Sequence, residues 1–179
     1  MRLRALIAAA ALLGGAPAAA EEPPLASEVE LADARTTLVE WTEAYRAGDY
    51  AAQWRLTDRR IRRWHDRERW RGRMRKAANR NGALLSFAIE AAAPAAAADL
   101  PCTEQRHCFR GGVKYVIFTI RSDYEKAEPP QPEFAVMAWS DDGWRFGGGT
   151  FLNRPLGETA VIMTQQDEER YRPGASIRR

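Results

Sequence analysis

Cysteine is scarce in this chain, with two in 179 residues, and histidine is equally so. Cys102 and Cys108 are separated by Thr-Glu-Gln-Arg-His, which is not the Cys-x-x-Cys of redox catalysts. With His107 they offer three donors crowded on one short loop, where a structural zinc needs four tetrahedral ligands. His65 sits in an arginine run, neither histidine accompanies a nucleophile in a recognisable turn, and no Gly-x-Ser-x-Gly occurs. Gly147-Gly148-Gly149 lacks the following helix that a phosphate-cradling loop requires. The initial apolar run, Ala5 to Leu13, falls well short of the ~20 residues needed to cross a bilayer. These gaps leave no motif for triad hydrolysis, dithiol exchange, metal catalysis or nucleotide binding. The expectation is a chain with no cofactor and no metal site.

What is present begins with an address. Arg2 and Arg4, the run Ala5–Leu13, the breakers Gly14, Gly15 and Pro17, and Ala18-Ala19-Ala20 follow the plan of a secretory signal peptide. Cleavage is expected after Ala20, which sends the chain to the periplasm or outside the cell and leaves no transmembrane segment in the mature protein. The domain plan is then 1–20 signal peptide, 21–27 linker, 28–153 folded domain and 154–179 a C-terminal extension, partly disordered. An oxidising destination favours a Cys102–Cys108 bridge, a short staple stabilising by about 2 kcal/mol in the chain-entropy picture.

Charge is uneven. The whole chain carries a formal +3, and losing Arg2 and Arg4 brings the mature form close to neutral. Yet residues 55–80 hold 12 bases against three acids, so a basic segment is attached to an acidic remainder. Arginine dominates the bases; lysine contributes only three.

Leu31, Ala34, Leu38, Trp41 and Tyr45 recur at helical spacing, Gly48 ends that helix, and Asp49 caps a second one carrying Tyr50 and Trp54. Asp66 caps a third, whose buried seam is Trp70, Met74 and Ala77, before Asn81-Gly82 stops it. The period then changes to two. Leu85, Phe87 and Ile89 alternate with polar or small residues, and residues 91–100 are expected as a loop broken by Pro94. Val113–Arg121 is the strongest strand. Pro129, Pro130 and Pro132 are expected to interrupt the chain before a strand at Phe134–Trp139. Asp142-Gly143 makes a hairpin turn into a return strand from Trp144 to Leu152, bent at its three glycines. Thr159–Met163 is a further short strand.

Helices followed by an antiparallel meander give an α+β class: N-terminal helices packed on a curved antiparallel sheet. Trp41, Tyr45, Tyr50, Trp54 and Trp70 are expected to face Phe118, Trp139 and Trp144.

Trp41, Gly48-Asp49-Tyr50, Trp54, Trp70, Gly82, the strand Tyr115–Phe118 and Asp142-Gly143-Trp144-Arg145 together resemble the bacterial family of domains of unknown function numbered 4019. More broadly, the order is similar to the cone-shaped superfamily named after nuclear transport factor two. The resemblance spans residues 28–152 and implies a cone with a space between helices and sheet. Members of that superfamily use it for catalysis, binding or dimerisation, and fold alone does not choose among them.

Three functions stay open. The first is a non-catalytic envelope protein that binds a small apolar ligand or an envelope component, with Tyr45, Trp54, Tyr115 and Trp139 as pocket candidates and a homodimer as a possible assembly. The second is a pocket enzyme of isomerase or dehydratase type using buried groups such as Tyr45, Asp49 or Tyr115. The third is an adaptor gripping anionic envelope surfaces through Arg69, Arg73, Lys76 and Arg80, export making nucleic acid an unsuitable partner. Set against the third is the ordinary reading of an arginine run as a solvated helix face.

Overall fold

The computed structural model describes residues 22–64, 66–100 and 108–149. The expected signal peptide, His65, Cys102, His107, the expected strand at 159–163 and residues 154–179 lie outside the described residues.

Among the described residues, four α-helices precede a four-stranded antiparallel sheet, an α+β arrangement. They are α1 (Glu28–Arg46), α2 (Tyr50–Arg55), α3 (Arg59–Trp64) and α4 (Arg67–Asn81), followed by β1 (Leu84–Ala95), β2 (Tyr115–Tyr124), β3 (Ala127–Ser140) and β4 (Gly143–Gly149). Sheet order follows chain order, β1-β2-β3-β4. Among the described residues no helix is long and apolar enough to cross a membrane.

Local chemistry explains the helix limits. Ser27 and Glu30 close a capping box on α1, each side chain accepting from the other residue's backbone N–H. Asp49 accepts from the N–H groups of Ala51 and Ala52 to start α2, and Asp66 accepts from that of Arg69 to start α4. Gly48 and Gly82 turn the chain out of α1 and α4 at φ of 70° and 76°. The six-residue α3 was not anticipated: four arginines with only Ile61 and Trp64 between and after them are too short a pattern to read as an apolar stripe.

The stripe Ala34, Leu38, Trp41, Tyr45 and the seam Trp70, Met74, Ala77 are buried against Val116, Phe118, Ile120, Tyr124, Ala135, Met137, Trp144 and Phe146. Tyr50 and Trp54 pack against the same cluster. Successive strand residues point to opposite faces. The other set, Tyr115, Val136 and Ala138 with Phe134, is covered by Ala97, Leu100, Phe109 and Val113 from the crossover between β1 and β2. The sheet therefore has helices on one face and a short irregular flap on the other.

Two expected interruptions are strand instead. β1 continues through Pro94 to Ala95, and β3 runs unbroken through Pro129, Pro130 and Pro132. Pro94 lies on an edge strand, with β2 as its one neighbour. β4 reaches β3 only from Ser140 back to Ala135, so Pro132 is paired on one side, with Arg121 of β2, and Pro129 and Pro130 fall in the register shift between the Gln131 and Ala127 pairs, where the ladder is already interrupted. The return strand is described as far as Gly149, and residues 150–152 of the expected strand lie outside the described residues. A Cβ on Gly149, at φ 151°, would collide with the Phe134 carbonyl oxygen, so close strand approach explains that glycine.

Lys114, just before β2, donates to Glu30 Oε1 at 2.7 Å and ties the α1 N-terminus to the sheet. This bond and those from Ser27 hold the Glu30 carboxyl at about 2, from an ordinary 4.5. A carboxyl lowered by folding stabilises the native state above its unfolded value, and that contribution disappears as pH falls through the folded one. Stability should therefore decline from about pH 4.5 to 2 partly through Glu30. Glu30→Gln should flatten that part of an acid-unfolding curve followed by circular dichroism; an unchanged slope would contradict the assignment.

Candidate functional site: a cationic cleft beside Trp139

The α2–α3 turn is fastened to the edge of the sheet. Phe146 N–H donates to Leu56 O and Asp58 N–H donates to Phe146 O, both at 2.8 Å, and Thr57 forms a parallel bridge with Phe146. This short pairing sets the start of α3 beside the β3–β4 turn.

Asp58 is 2% exposed and holds Arg60 tightly. Its Oδ1 accepts from the Arg60 backbone N–H and from Nε, both at 2.7 Å, while Oδ2 accepts from an Arg60 terminal nitrogen at 3.0 Å. Arg60 also donates to the Tyr115 hydroxyl at 2.8 Å, and that hydroxyl donates to the Arg110 carbonyl. Burial works against the Arg60 charge, but Asp58 and Tyr115 outweigh it and raise its pKa further. The result is a rigid strut joining α3, β2 and the flap.

Around this strut opens a cleft of about 290 Å³. Its walls include Arg59, Arg60 and Arg63 from α3, Arg110 and Lys114 from the approach to β2, and Trp139 and Asp141 from the β3–β4 end. Arg60 is neutralised by Asp58 and Lys114 by Glu30, whereas Arg59 meets Asp141 at 3.2 Å on the exposed rim. Arg63 and Arg110 have no acidic partner among the described residues. Trp139 is 43% exposed, and its ring stands edge-on to Trp144 with centroids 5.4 Å apart. An aromatic surface thus stands beside two uncompensated guanidinium groups.

The four pocket candidates are not brought together. Tyr45 and Trp54 belong to the helix-covered core, while Tyr115 belongs to the flap-covered cluster on the other face. Trp139 lines the cleft and lies outside the core it was expected to join. Trp139 pairs with Trp144 next to the β3–β4 turn; Trp144 enters the helix-covered core, whereas Trp139 lines the cleft together with residues of α3. Asp49 is a cap, and Asp141 and Asp142 are engaged by Arg59 and Arg145 respectively.

On α4, Arg69, Arg73, Lys76 and Arg80 are exposed. Arg69 contacts Asp66 at 3.4 Å, and Arg80 Nε donates to Asn81 Oδ1. That face follows the solvated pattern, with acids of the same helix turn as partners, Glu68 with Arg71 included.

Several buried polar groups were not foreseen from the sequence, Asp58, Gln53 and Glu133 among them. Glu133 is 2% exposed, and Tyr124 donates to its Oε2 at 3.3 Å. Burial, then Glu133 among nearby charges, raises the Tyr124 hydroxyl strongly; burial together with Tyr50 and Glu133 moves Tyr45 to about 12. Both phenols therefore stay protonated; Tyr124 acts as a donor, while the buried Tyr45 hydroxyl has no hydrogen-bond partner among the described residues. The available signal was phase, since Glu133 shares its parity with the inward-facing Ala135 and Met137.

No protein-family model, curated protein or solved structure matches the chain. Functional inference therefore rests on the geometry of the cleft.

Proposed function

We propose that the chain is an exported, non-catalytic binding protein of the bacterial envelope, of the cone-shaped type, which holds an anionic component in the cleft beside Trp139. The observation that carries this is the pair Arg63 and Arg110, two cations without acidic partners facing one concave space. Guanidinium groups bind oxyanions through several N–H donors at once. A small apolar ligand between helices and sheet is less favoured, because side chains occupy that region: Trp41 stacks on Phe146 at 4.0 Å and meets Trp70 edge-on. The α4 face gives way to the cleft as the anion-binding surface, since α4 is convex and partly self-paired.

Phosphatidylglycerol vesicles test the reading. The mature protein should be retained at ~50 mM salt and released by ~500 mM, because screening shortens the reach of charge. Arg63→Gln with Arg110→Gln should abolish retention, whereas Arg69→Gln, Arg73→Gln and Lys76→Gln together should preserve it. The reverse pattern would return the function to α4.

Export also supports the Cys102–Cys108 bridge. Along the sequence the two cysteines fall between Leu100 and Phe109, two residues that cover the back of the sheet. A bridge there would limit flap opening and keep Arg110 at the cleft. Thiol alkylation and mass spectrometry of protein from the oxidising compartment should find both cysteines unmodified; two alkylated cysteines would refute the pairing.

A further inference from the structure

The charges around the cleft nearly cancel in pairs, and what is left over describes a ligand. Asp58 answers Arg60, Glu30 answers Lys114 and Asp141 answers Arg59. Arg63 and Arg110 remain without an ion pair among the described residues, contributed by α3 on one wall and the flap on the other, with the Glu22 carboxylate lying beside Gly111. A carboxylate carries one charge and two oxygens, which a single guanidinium fork can satisfy. A sulfate ester also carries one charge. A phosphate monoester carries about −1.5 to −2 at neutral pH and presents three acceptor oxygens, enough for two guanidinium groups approaching from different sides.

The rest of the cleft constrains what bears the phosphate. Trp139 presents an exposed indole, fixed in orientation by Trp144, and half-buried Val113 adds apolar surface. Beside them the Asp141 side chain, 88% exposed, keeps acceptor oxygens free beyond its single contact with Arg59. A flat apolar face next to a carboxylate suits a sugar ring: its C–H face lies on the indole and its hydroxyls donate to the carboxylate. An unsubstituted aromatic ring has no hydroxyls for Asp141. The volume, about 290 Å³, stands at the small end of the ~300–1,000 Å³ typical of small-molecule sites, which fits one ring and its phosphate rather than a polymer.

We infer that the cleft between α3, the flap and Trp139 is a site for a hexose phosphate monoester, with Arg63 and Arg110 on the phosphate and Trp139 under the ring. This rests on the reading that the cleft binds anions and narrows it to one chemical class. The same chemistry occurs in a free sugar phosphate and in a phosphorylated glycolipid headgroup.

Titration calorimetry on the mature protein, with glucose phosphate, glucose, inorganic phosphate and vesicles bearing monophosphoryl lipid A, tests it. Glucose phosphate should bind more tightly than inorganic phosphate, and glucose should not bind. Arg63→Gln and Arg110→Gln should each weaken glucose phosphate about tenfold or more, as expected for a lost charged hydrogen bond. Trp139→Leu should weaken glucose phosphate about three- to tenfold and leave inorganic phosphate unchanged, which also shows that the variant is folded. Binding of lipid A vesicles but not glucose phosphate supports the headgroup as the source; binding of both supports a site open to either. Equal affinity for glucose and glucose phosphate, or variants that bind like the parent, would overturn the inference. Retention on phosphatidylglycerol vesicles through Arg63 and Arg110, with no response to either phosphorylated sugar, would overturn this inference and leave the anion-binding function standing.

Discussion

Replacing Trp41 by alanine is expected to remove about 3–5 kcal/mol of stability, the range for deleting a buried large aromatic side chain. Trp41 is 1% exposed and joins three parts of the molecule. Its ring stacks on Phe146 of β4 with centroids 4.0 Å apart, and it meets Trp70 of α4 edge-on at 6.3 Å. Its Nε1 donates to Thr57 Oγ1 at 3.0 Å, in the turn that pairs with β4. Small domains are stable by only ~5–15 kcal/mol, so this one change removes a large share of the total. Trp41→Phe should keep much of the packing and lose the hydrogen bond, at about 1 kcal/mol. Urea unfolding followed by circular dichroism measures both. An alanine variant within about 1 kcal/mol of the parent would show that the helix–sheet core is not anchored here.

The second large effect should come from Asp58→Asn. Asparagine can still accept from the Arg60 backbone N–H, so the start of α3 survives while the ionic pair is lost. Removing one partner of a buried pair costs about 3–5 kcal/mol, because the remaining charge is stranded. The Arg60 side chain is 27% exposed, so water reaches it in part, and a loss of roughly 2–3 kcal/mol is expected. The strut also aligns Tyr115 and the Arg110 backbone, so the cleft should loosen as well. Combining Asp58→Asn with Arg60→Met removes the stranded charge and should recover part of the loss. A double-mutant cycle reports that recovery as a coupling energy. Strict additivity in the cycle would mean that the pair contributes nothing beyond its separate members.

Much of the helical layer could be read directly. Capping residues and three-four spacings are local, and Asp49, Asp66, Trp41 and Trp70 do what their positions suggest, whereas the Ser27 cap of α1 was read as linker. The sheet was legible where alternation is strong, as in β2. It was misread at Pro94 and at Pro129, Pro130 and Pro132, because a proline breaks a strand only where its N–H is needed. Whether it is needed depends on which neighbour strand lies alongside, and how far that strand extends.

The site divides in the same way. An arginine-rich stretch facing an anionic partner was visible, yet the stretch contains α3 and α4, and its composition does not separate them. Position does. Leu56 and Asp58 pair with Phe146, almost ninety residues away, and bring α3 to the mouth formed by Arg110, Lys114 and Trp139. Trp139 illustrates the limit: its parity places it on the helix-facing side, yet its cross-strand partner Trp144 enters the core while Trp139 lines the cleft.

Helix starts and stops, the two-residue period of the strands and the concentration of basic charge follow from near neighbours along the chain, since caps, turns and amphipathic stripes are satisfied within a few residues. Strand continuity through proline, the edge pairing that positions α3 and the two arginines left without acids depend on groups tens of residues apart. Folding alone determines which of those distant groups meet, and so which charges are cancelled and which remain for a ligand.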